Sequence, residues 1–288
     1  MIPRSFGTHS GTFHADDVTA CSLLLLFNLI DRDKIFRTRD LKLLGARDYV
    51  CDVGGVYDPQ KRRFDHHQND YNGTLSSAGM VWKYLKNQEF VDEKTYDFFN
   101  RSLIWGVDAH DNGKSDIEPG VCTFSNVISN FVPIVHDAPE EELKEAFLLA
   151  VDFTHGHLQR LLKRFRYIEG CRQKIVDAMS PNKKYLFLNE SMPWLDVFFD
   201  LGGEKHPALF VVMPSGKHWK LRCIPPNEKD KMKVRVPLPK AWAGLMDAEL
   251  KGVSKIPGAI FCHKGRFISV WETKEDALQA LTSILERL

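Results

Sequence analysis

Short apolar segments alternate with longer amphipathic ones through the first half of the chain. Residues 2–6 and 48–53 form apolar runs, and residues 34–39 alternate apolar with polar side chains, so each stretch predicts a β-strand. Helices with apolar side chains at helical spacing are predicted near 18–27, 77–85 and 93–107. Strands that alternate with helices favour a parallel sheet with helices on its faces.

The second half of the chain predicts a separate, smaller α/β domain. Residues 138–179 have helical periodicity, with an expected break at 154–157, and the turn-rich residues 180–182 end it. We therefore expect a first domain over 1–179, connecting helix included, and a second over 183–288. Strands of the second domain are predicted at 184–188, 208–213, 218–224, 259–263 and 266–270, and a final helix at 274–288.

Composition places the chain among ordinary globular proteins. Hydrophobic residues make up 43% of the 288 residues, and the net charge of +1 means that any nucleic-acid contact must come from local basic patches. The six cysteines are scattered without a Cys-x-x-Cys pair, which favours free thiols over a structural zinc site. We expect a cytoplasmic protein without membrane contact, since the N-terminus lacks a signal-peptide pattern and the longest apolar run is too short for a bilayer.

Four clusters of acidic and histidine side chains follow predicted elements in the first half of the chain. They are His9, His14, Asp16 and Asp17; Asp52; Asp65, His66 and His67; and Asp108 with Asp111. Carboxylates brought together repel one another unless a cation or a proton neutralises them. Imidazole and carboxylate are suitable donors for Mn²⁺ or Mg²⁺, and the number of candidates suits two metal ions that hold a phosphoryl group between them.

The first cluster on its own also permits a structural interpretation. Asp16 or Asp17 would cap the helix that follows, and His14 would be a turn residue. Asp111 likewise suits either a metal ligand or an Asx turn before the Asn-Gly pair that follows it. Both interpretations stay open for these residues when each stretch is taken alone.

The clusters resemble the motifs of the DHH phosphoesterase superfamily, which is named after the Asp-His-His sequence that stands here at 65–67. Longer matches resemble its melanocyte-proliferating-gene exonuclease branch. They lie at 7–16, 52–59, 65–68, 107–113, 237–245 and 256–263. The resemblance covers nearly the whole chain. It implies a DHH-type N-terminal domain, with helices on both faces of a parallel sheet, and a smaller α/β C-terminal domain.

The resemblance implies a metal-dependent phosphodiesterase, with 3′→5′ exonuclease action on RNA as the activity associated with the branch. Carried over by position, Asp52 would bridge two Mn²⁺ ions, with Mg²⁺ as the other possible metal. His9 and His14 would bind one ion. The other ion would be bound by Asp16, His66 and Asp108.

Further roles follow from the same resemblance. His67 would contact the scissile phosphate, and Asp65 would orient a ligand histidine through its ring N–H. Asp111 and Asp17 would either contact a metal or hold a residue that does. His14 stands where many members of the superfamily have an aspartate. The active site is expected in a cleft between the two domains.

The second domain offers candidate substrate-binding residues. Residues 217–240 carry eight Lys or Arg and two Asp or Glu, with a tryptophan among them. Such a stretch suits a nucleic-acid backbone, with Lys220 and Arg222 as candidate contacts, although a solvated face explains it as well. His263 and Arg266 would contact a substrate phosphate or simply form a turn.

RNA or a short oligonucleotide is the expected substrate, and two other functions stay open at this stage. The near-neutral charge also suits hydrolysis of a small phosphate compound such as a dinucleotide or pyrophosphate. A third possibility is an RNA-binding protein that keeps its metal for structure. Residues 269–271 read Ser-Val-Trp where related sequences often carry Gly-Gly-His, so this chain departs from its relatives where the substrate end would be held. The oligomeric state is not predicted.

Overall fold

A computed structural model describes residues 1–116 and 118–288. The chain divides into two compact units, Met1–Phe165 and Arg166–Leu288. Each unit has a β-sheet with helices packed against it, so the mixed α/β class predicted from the sequence is confirmed. Among the described residues, no helix has both the length and the apolar character that crossing a bilayer requires.

A five-stranded, mainly parallel sheet forms the centre of the first unit. Its strands are β1 (Ile2–Thr8), β2 (Ile35–Arg37), β3 (Arg47–Cys51), β4 (Tyr57–Asp58) and β5 (Arg63–Phe64). In the order β2-β1-β3-β5-β4 the pairs are parallel, except that β4 runs antiparallel to β5. The sequence predicted β1, β2 and β3. It did not predict β4 and β5, because two-residue strands are too short to show a periodic pattern.

The helices of the first unit include most of its buried apolar side chains. They are α1 (Ala15–Leu26), α2 (Leu41–Gly45), α3 (Ser77–Asn87), α4 (Glu93–Phe99), α5 (Trp105–Asp111), α6 (Phe124–Ser129) and α7 (Glu140–Gly170). A π-helical turn, Asn100–Ile104, joins α4 to α5. Because α1 is apolar on nearly all sides, it is buried against β3 and the helices α3, α5 and α6.

Helices lie on both faces of this sheet. Phe6 of β1 points into the main core, and alternate residues of a strand face opposite sides, so Gly7 faces away from that core. There Leu44 of α2 packs so closely that a Cβ on Gly7 would lie 2.9 Å from its methyl carbon. The short helix α2 therefore covers part of the second face.

The parallel strands bring three of the predicted clusters to one edge of the sheet. β1, β3 and β5 run in the same direction, and His9, Asp52 and Asp65 each follow the last residue of one of them. Open α/β sheets place their ligands at the carboxyl ends of the strands. Strand direction therefore explains why residues that are distant in the sequence meet.

A second, mostly antiparallel sheet organises the second unit. Its strands are β6 (Tyr185–Phe187), β7 (Phe210–Ser215), β8 (His218–Cys223), β9 (Ala259–Cys262) and β10 (Ile268–Trp271), in the order β6-β7-β8-β10-β9. Its helices are α8 (Arg172–Ala178), α9 (Leu195–Asp200), α10 (Asp247–Ser254) and α11 (Lys274–Leu285). These five strands and α11 match the predicted segments, whereas α9 and α10 were not predicted.

The long helix α7 corrects one expectation. It runs unbroken through 154–157, where the sequence predicted a break. Its buried side chains continue at helical spacing across that stretch, from Val151 and Thr154 to Leu158. Packing on the core therefore outweighs the low helix propensity of Gly156.

The division into units falls earlier than the boundary expected after residue 179. The first unit ends at Phe165, inside α7. Cys171 and Ile175 pack with the side chains of α9 and β7 in a core of the second unit. The connecting segment thus contributes its later turns to the second unit, a division that periodicity alone does not reveal.

Candidate metal centre

Asp52 lies at the centre of a group of buried acidic and histidine side chains. It follows β3 with a φ of 57°, which is uncommon for a residue other than glycine, and Gly54 and Gly55 continue the turn with positive φ. Its Oδ2 lies 3.2 Å from Nε2 of His9, and its Oδ1 lies 3.5 Å from Nε2 of His66. The two oxygens of Asp52 therefore face different histidines, which suits a carboxylate shared between two cations.

One possible metal position lies between Asp52, His9 and His14, whose ligand atoms are within 4.8 Å of one another. Nδ1 of His9 lies 3.2 Å from the carbonyl oxygen of Ser10, and a proton on this nitrogen leaves Nε2 free to bind a metal. The backbone N–H of His14 donates to Oδ1 of Asp17 at 2.9 Å, and Oδ2 of Asp17 lies 3.6 Å from Nε2 of His9. Asp17 thus positions both histidines at the start of α1.

A second possible position lies between Asp16, His66 and Asp111, with ligand atoms again within 4.8 Å. Nε2 of His66 is 3.0 Å from Oδ2 of Asp111 and 4.0 Å from Oδ2 of Asp16. Together with Asp52, these carboxylates converge on one ring nitrogen. Asp111 is therefore part of the group, beyond any role in a turn.

The N-terminus of α3 holds the carboxylate of Asp16. Oδ1 accepts a hydrogen bond from the amide of Ala78 at 2.6 Å, and Oδ2 accepts one from the amide of Ser77 at 3.1 Å. The hydroxyl oxygen of Ser76 lies 2.5 Å from Oδ1. Because the amides of a helix N-terminus favour negative charge, α3 fixes the orientation of Asp16.

Asp108, which the resemblance implied as a ligand, points toward α3. Its Oδ1 accepts hydrogen bonds from the amides of Ser76 and Gly79 at 3.0 and 3.1 Å, whereas its buried Oδ2 has no hydrogen-bond partner among the described residues. The structure brings Asp111, one turn later on α5, beside His66 instead. The motif match implied Asp108 as a ligand and left the role of Asp111 open, and their spacing places both residues on one face of α5.

Ser76 lies between two carboxyl groups that share its hydroxyl. That hydroxyl is 2.5 Å from Asp16 and 2.7 Å from Asp108, and its single hydrogen serves one of them at a time. Burial raises the pKa of Asp108 to about 6. Burial, with the negative charges of Asp52 and Asp111, raises the pKa of Asp16 well above its usual range. These shifts favour a proton on this pair until cations neutralise the site.

Asp65 connects the glycine turn to His67. Oδ2 of Asp65 accepts a hydrogen bond from the amide of Gly55 at 2.5 Å, and Oδ1 lies 2.8 Å from Nδ1 of His67. Nδ1 of His67 also lies 3.4 Å from Oδ1 of Asp52, but its bond to Asp65 occupies that nitrogen. The side chain of His67 is 63% exposed, and it lines a cavity of about 650 Å³ next to Asp52. Its Nε2 is therefore available to a molecule in the cavity.

Buried polar atoms without partners test whether the site suits a cation. Oδ1 of Asp52 and Nε2 of His66 are buried but make no well-formed hydrogen bond with any described residue, although each has oppositely charged atoms nearby. Buried polar groups are almost always satisfied. Divalent ions would satisfy these atoms, and the imidazole and carboxylate donors suit Mn²⁺ or Mg²⁺. The residues present therefore fit a metal centre.

The charges of the site shift the pKa values of its histidines upward. Close contact with Asp111 and Asp52 raises the pKa of His66 to about 10, against the opposing effect of burial. For His9, burial lowers the pKa, but the contacts with Asp52 and Asp17 outweigh it. Without metal, His66 is therefore protonated at neutral pH and serves as the counter-ion of the carboxylates.

We expect metal binding to release protons and to strengthen as the pH rises. A metal ion needs the neutral imidazole of His66, whose pKa in the metal-free protein is about 10, so a proton must leave at any pH below that value. One released proton gives roughly a tenfold gain in Mn²⁺ affinity per pH unit. Calorimetry between pH 6.5 and 8.5, in buffers of different ionisation enthalpy, measures both quantities. A His66→Asn control should reduce the slope, and a pH-independent affinity would contradict the prediction.

The comparison with known proteins covers nearly the whole chain. The MYG1 exonuclease family model, described as uncharacterised protein family UPF0160, matches residues 5–284. This chain belongs to the MYG1 exonuclease family. A MYG1 protein of Chlamydia pneumoniae is 48% identical over 286 residues, covering 99% of this chain and 98% of that protein. The human MYG1 exonuclease is 30% identical over 327 residues, covering 99% of this chain and 86% of the human protein.

Solved structures show a weaker similarity to this member of the MYG1 family. A pGpG-specific phosphodiesterase from Vibrio cholerae is 14% identical, with a TM-score of 0.35 and 98% of each chain covered. Family membership therefore rests on the sequence matches, and the chemistry of the site rests on its own geometry.

Sequence reasoning did not find the contacts that hold the loop between the two candidate ligands His9 and His14. The buried Arg37 donates to the carbonyl oxygen of Gly11 at 2.5 Å, and its guanidinium lies 4.9 Å from the ring centre of Phe147. Glu140, at the start of α7, accepts a hydrogen bond from the amide of Gly11 at 3.0 Å and lies 3.5 Å from Arg37. The available signal in the sequence was the position of Arg37, which the predicted strand places on the same face as the buried Ile35.

Replacing Glu140 with glutamine should weaken Mn²⁺ binding by roughly 3- to 10-fold, because the Gly11 amide and Arg37 lose a charged partner. Calorimetric titration with Mn²⁺ measures the affinity. Glu141→Gln is the matched control, since the neighbouring Glu141 pairs with the exposed Lys144. Equal affinity in both variants would show that the contacts of Glu140 do not position the ligands.

The candidate substrate residues of the second unit lie on β8 and on the β9–β10 turn. Lys220 and Arg222 are two positions apart on β8, so they share a sheet face, and the guanidinium of Arg222 lies 5.9 Å from the ring centre of Trp194. His263 and Arg266 form the turn, in which the amide of Arg266 donates to the carbonyl oxygen of His263 at 2.8 Å. The turn interpretation of His263 and Arg266 is thus observed, and a substrate role for the four residues remains a proposal.

Proposed function

We propose that this protein is a metal-dependent phosphodiesterase that removes nucleotides from the 3′ end of RNA or short oligonucleotides, with two Mn²⁺ ions in its active site. The observation that carries the proposal is the position of Asp52. Its Oδ2 faces His9 and its Oδ1 faces His66, and these histidines belong to different groups of possible ligands. Membership of the MYG1 exonuclease family, whose human relative is named an exonuclease, supports a nuclease.

The metal ligands follow from the groups described above. His9 and His14 would hold one ion, and Asp16, His66 and Asp111 the other, with Asp52 between them. Bound divalent ions would supply positive charge to the phosphoryl oxygens and lower the pKa of the attacking water. Asp108 would act through Ser76 and α3, which orient Asp16.

His67 would be the residue that touches the substrate phosphate. Its Nδ1 is held by Asp65, so its Nε2 can donate a hydrogen bond to a phosphoryl oxygen when the ring is protonated. Asp65 itself is fixed by the amide of Gly55, which ties the histidine to the same turn that carries Asp52. This turn therefore couples the position of the metal ligand to that of the phosphate contact.

The second unit carries further candidate substrate-binding residues. Lys220 and Arg222 present two cations on one face of β8, and His263 and Arg266 add polar groups at the neighbouring turn. Cationic side chains beside an aromatic ring suit a single-stranded nucleic-acid backbone. Since the net charge of the chain is only +1, such local groups must supply the affinity.

Digestion of a 5′-labelled RNA oligomer with Mn²⁺, with Mg²⁺ and with a chelator tests the proposed function. A metal-dependent ladder that shortens from the 3′ end is the expected result. A DNA oligomer of the same sequence serves as the matched substrate and reports the preference for RNA. Absence of RNA cleavage, with turnover of a dinucleotide in the same buffer, would show that the protein is a small-molecule phosphohydrolase and not an exonuclease. Absence of both activities with either metal would overturn the enzyme assignment.

A further inference from the structure

Arg39 stands at the rim of the cavity beside the metal centre. It follows β2, where the amide of Thr38 donates to the carbonyl oxygen of Thr8 at 2.8 Å and ties this end of β2 to β1. The residue is exposed and lines the cavity of about 650 Å³ together with Asp52 and His67. Its backbone is therefore held by the sheet, while its side chain faces the space that a substrate would occupy.

The guanidinium of Arg39 has no carboxylate partner among the described residues. Four other arginines of the first unit do pair with a carboxylate: Arg4 with Asp31, Arg32 with Asp152, Arg37 with Glu140 and Arg62 with Asp48. An unpaired arginine on a protein surface is ordinary. Arg39, however, lies at the rim of a cavity that is also lined by candidate metal ligands. Its N–H donors therefore point to a place where an anion is expected to bind.

The contact of Arg39 with His9 leaves those donors free when His9 is in the tautomer that binds a metal through Nε2. One terminal nitrogen of Arg39 lies 3.5 Å from Nδ1 of His9. For Nε2 of His9 to bind a metal, Nδ1 must carry the proton, which it donates to the carbonyl oxygen of Ser10 at 3.2 Å. A protonated Nδ1 cannot accept a hydrogen bond from Arg39, so the guanidinium stays available to another acceptor.

The positive charges around Arg39 also favour an anion at this position. A guanidinium next to a candidate metal ligand would be repelled by a cation bound there, and the positive charges of Arg39 and Arg37 also repel each other. An anion between Arg39 and the metal position removes this repulsion. Resting on the function proposed above, we propose that Arg39 anchors a phosphate group of the substrate through the planar, two-pronged hydrogen bonding that arginine offers to phosphoryl oxygens.

The test compares Arg39→Gln and Arg39→Lys with wild-type protein loaded with Mn²⁺. The substrates are an RNA dinucleotide and the same dinucleotide with a terminal phosphate, and inorganic phosphate is the binding probe. Arg39→Gln should raise KM roughly 10- to 100-fold and weaken phosphate binding by a similar factor, with a smaller effect on kcat. Arg39→Lys should recover part of the lost phosphate affinity, since lysine restores the positive charge but not the two-pronged hydrogen bonding of arginine. Arg32→Gln, which removes an arginine paired on the surface, should leave both values unchanged.

The two substrates identify which phosphate is anchored. A loss confined to the dinucleotide with the terminal phosphate assigns Arg39 to that group, and an equal loss on both assigns it to the scissile phosphodiester. Unchanged KM and phosphate affinity in Arg39→Gln would overturn the proposal. So would an equal fall in Mn²⁺ affinity measured by calorimetry, because Arg39 would then act by positioning His9. If no substrate is hydrolysed but phosphate binding still depends on Arg39, the proposed function is wrong, whereas the role of Arg39 in phosphate binding is supported.

Discussion

Replacing Asp52 with asparagine is expected to reduce phosphodiester hydrolysis by at least about 10³-fold while the protein stays folded. The side chain keeps its shape, and asparagine tolerates the left-handed backbone that Asp52 adopts. The substitution removes the charge that faces both His9 and His66, so neither metal position keeps its shared ligand. Activity assays with Mn²⁺, together with thermal denaturation of the metal-free variant, measure the two effects.

Asp58→Asn is the matched control for this experiment. Asp58 is the last residue of β4, a few residues after Asp52, where it pairs with the exposed Lys61 and lies outside the metal groups described above. We expect its activity to stay within about twofold of wild type, since exposed ion pairs contribute little. Comparable activity in Asp52→Asn and Asp58→Asn would show that catalysis does not require Asp52.

Replacing Gly79 with alanine should destabilise the protein by about 2–4 kcal/mol and weaken metal binding. A Cβ at this position would collide with both carboxylate oxygens of Asp108, lying 2.6 Å from Oδ1. Asp108 would have to move away from the amides of Ser76 and Gly79 and from the Ser76 hydroxyl that it shares with Asp16, which disturbs the start of α3 where Asp16 is held. Chemical denaturation and Mn²⁺ titration report these two consequences separately.

A second glycine provides the control for Gly79→Ala. Gly156 lies within α7, where an added Cβ would meet no atom within 4 Å. Gly156→Ala should therefore stabilise the protein by up to about 1 kcal/mol, because alanine is the better helix former. If Gly79→Ala proved as stable as wild type, the close packing of Asp108 on α3 would be wrong.

Sequence patterns predicted the parts of the fold that depend on short-range periodicity. The apolar runs located β1 and β3, and the motif positions predicted that His9, Asp52 and His66 would share one site. Parallel strand direction explains that agreement, because it brings successive loops to one edge of the sheet. The family resemblance is confirmed by a match over residues 5–284.

The positions of two other side chains, those of Asp108 and Arg37, depend on three-dimensional packing and were not predicted from the sequence. The motif match implied Asp108 as a metal ligand and left the role of Asp111 open, and only the contacts with Ser76 and Gly79 show that Asp108 is turned toward α3. Arg37 was not singled out from the sequence, yet it is buried and donates to the carbonyl oxygen of Gly11 in the loop that follows His9. Such assignments depend on contacts between residues far apart in the chain, which periodicity and local spacing do not encode.

Anomalous diffraction at the manganese edge, from crystals of the protein soaked in Mn²⁺, tests the metal centre most directly. We expect two peaks roughly 3.5–4 Å apart on either side of Asp52. One should contact His9 and His14, and the other His66 and Asp111. A single peak away from Asp52, or none at saturating Mn²⁺, would contradict the two-metal site on which the proposed activity depends.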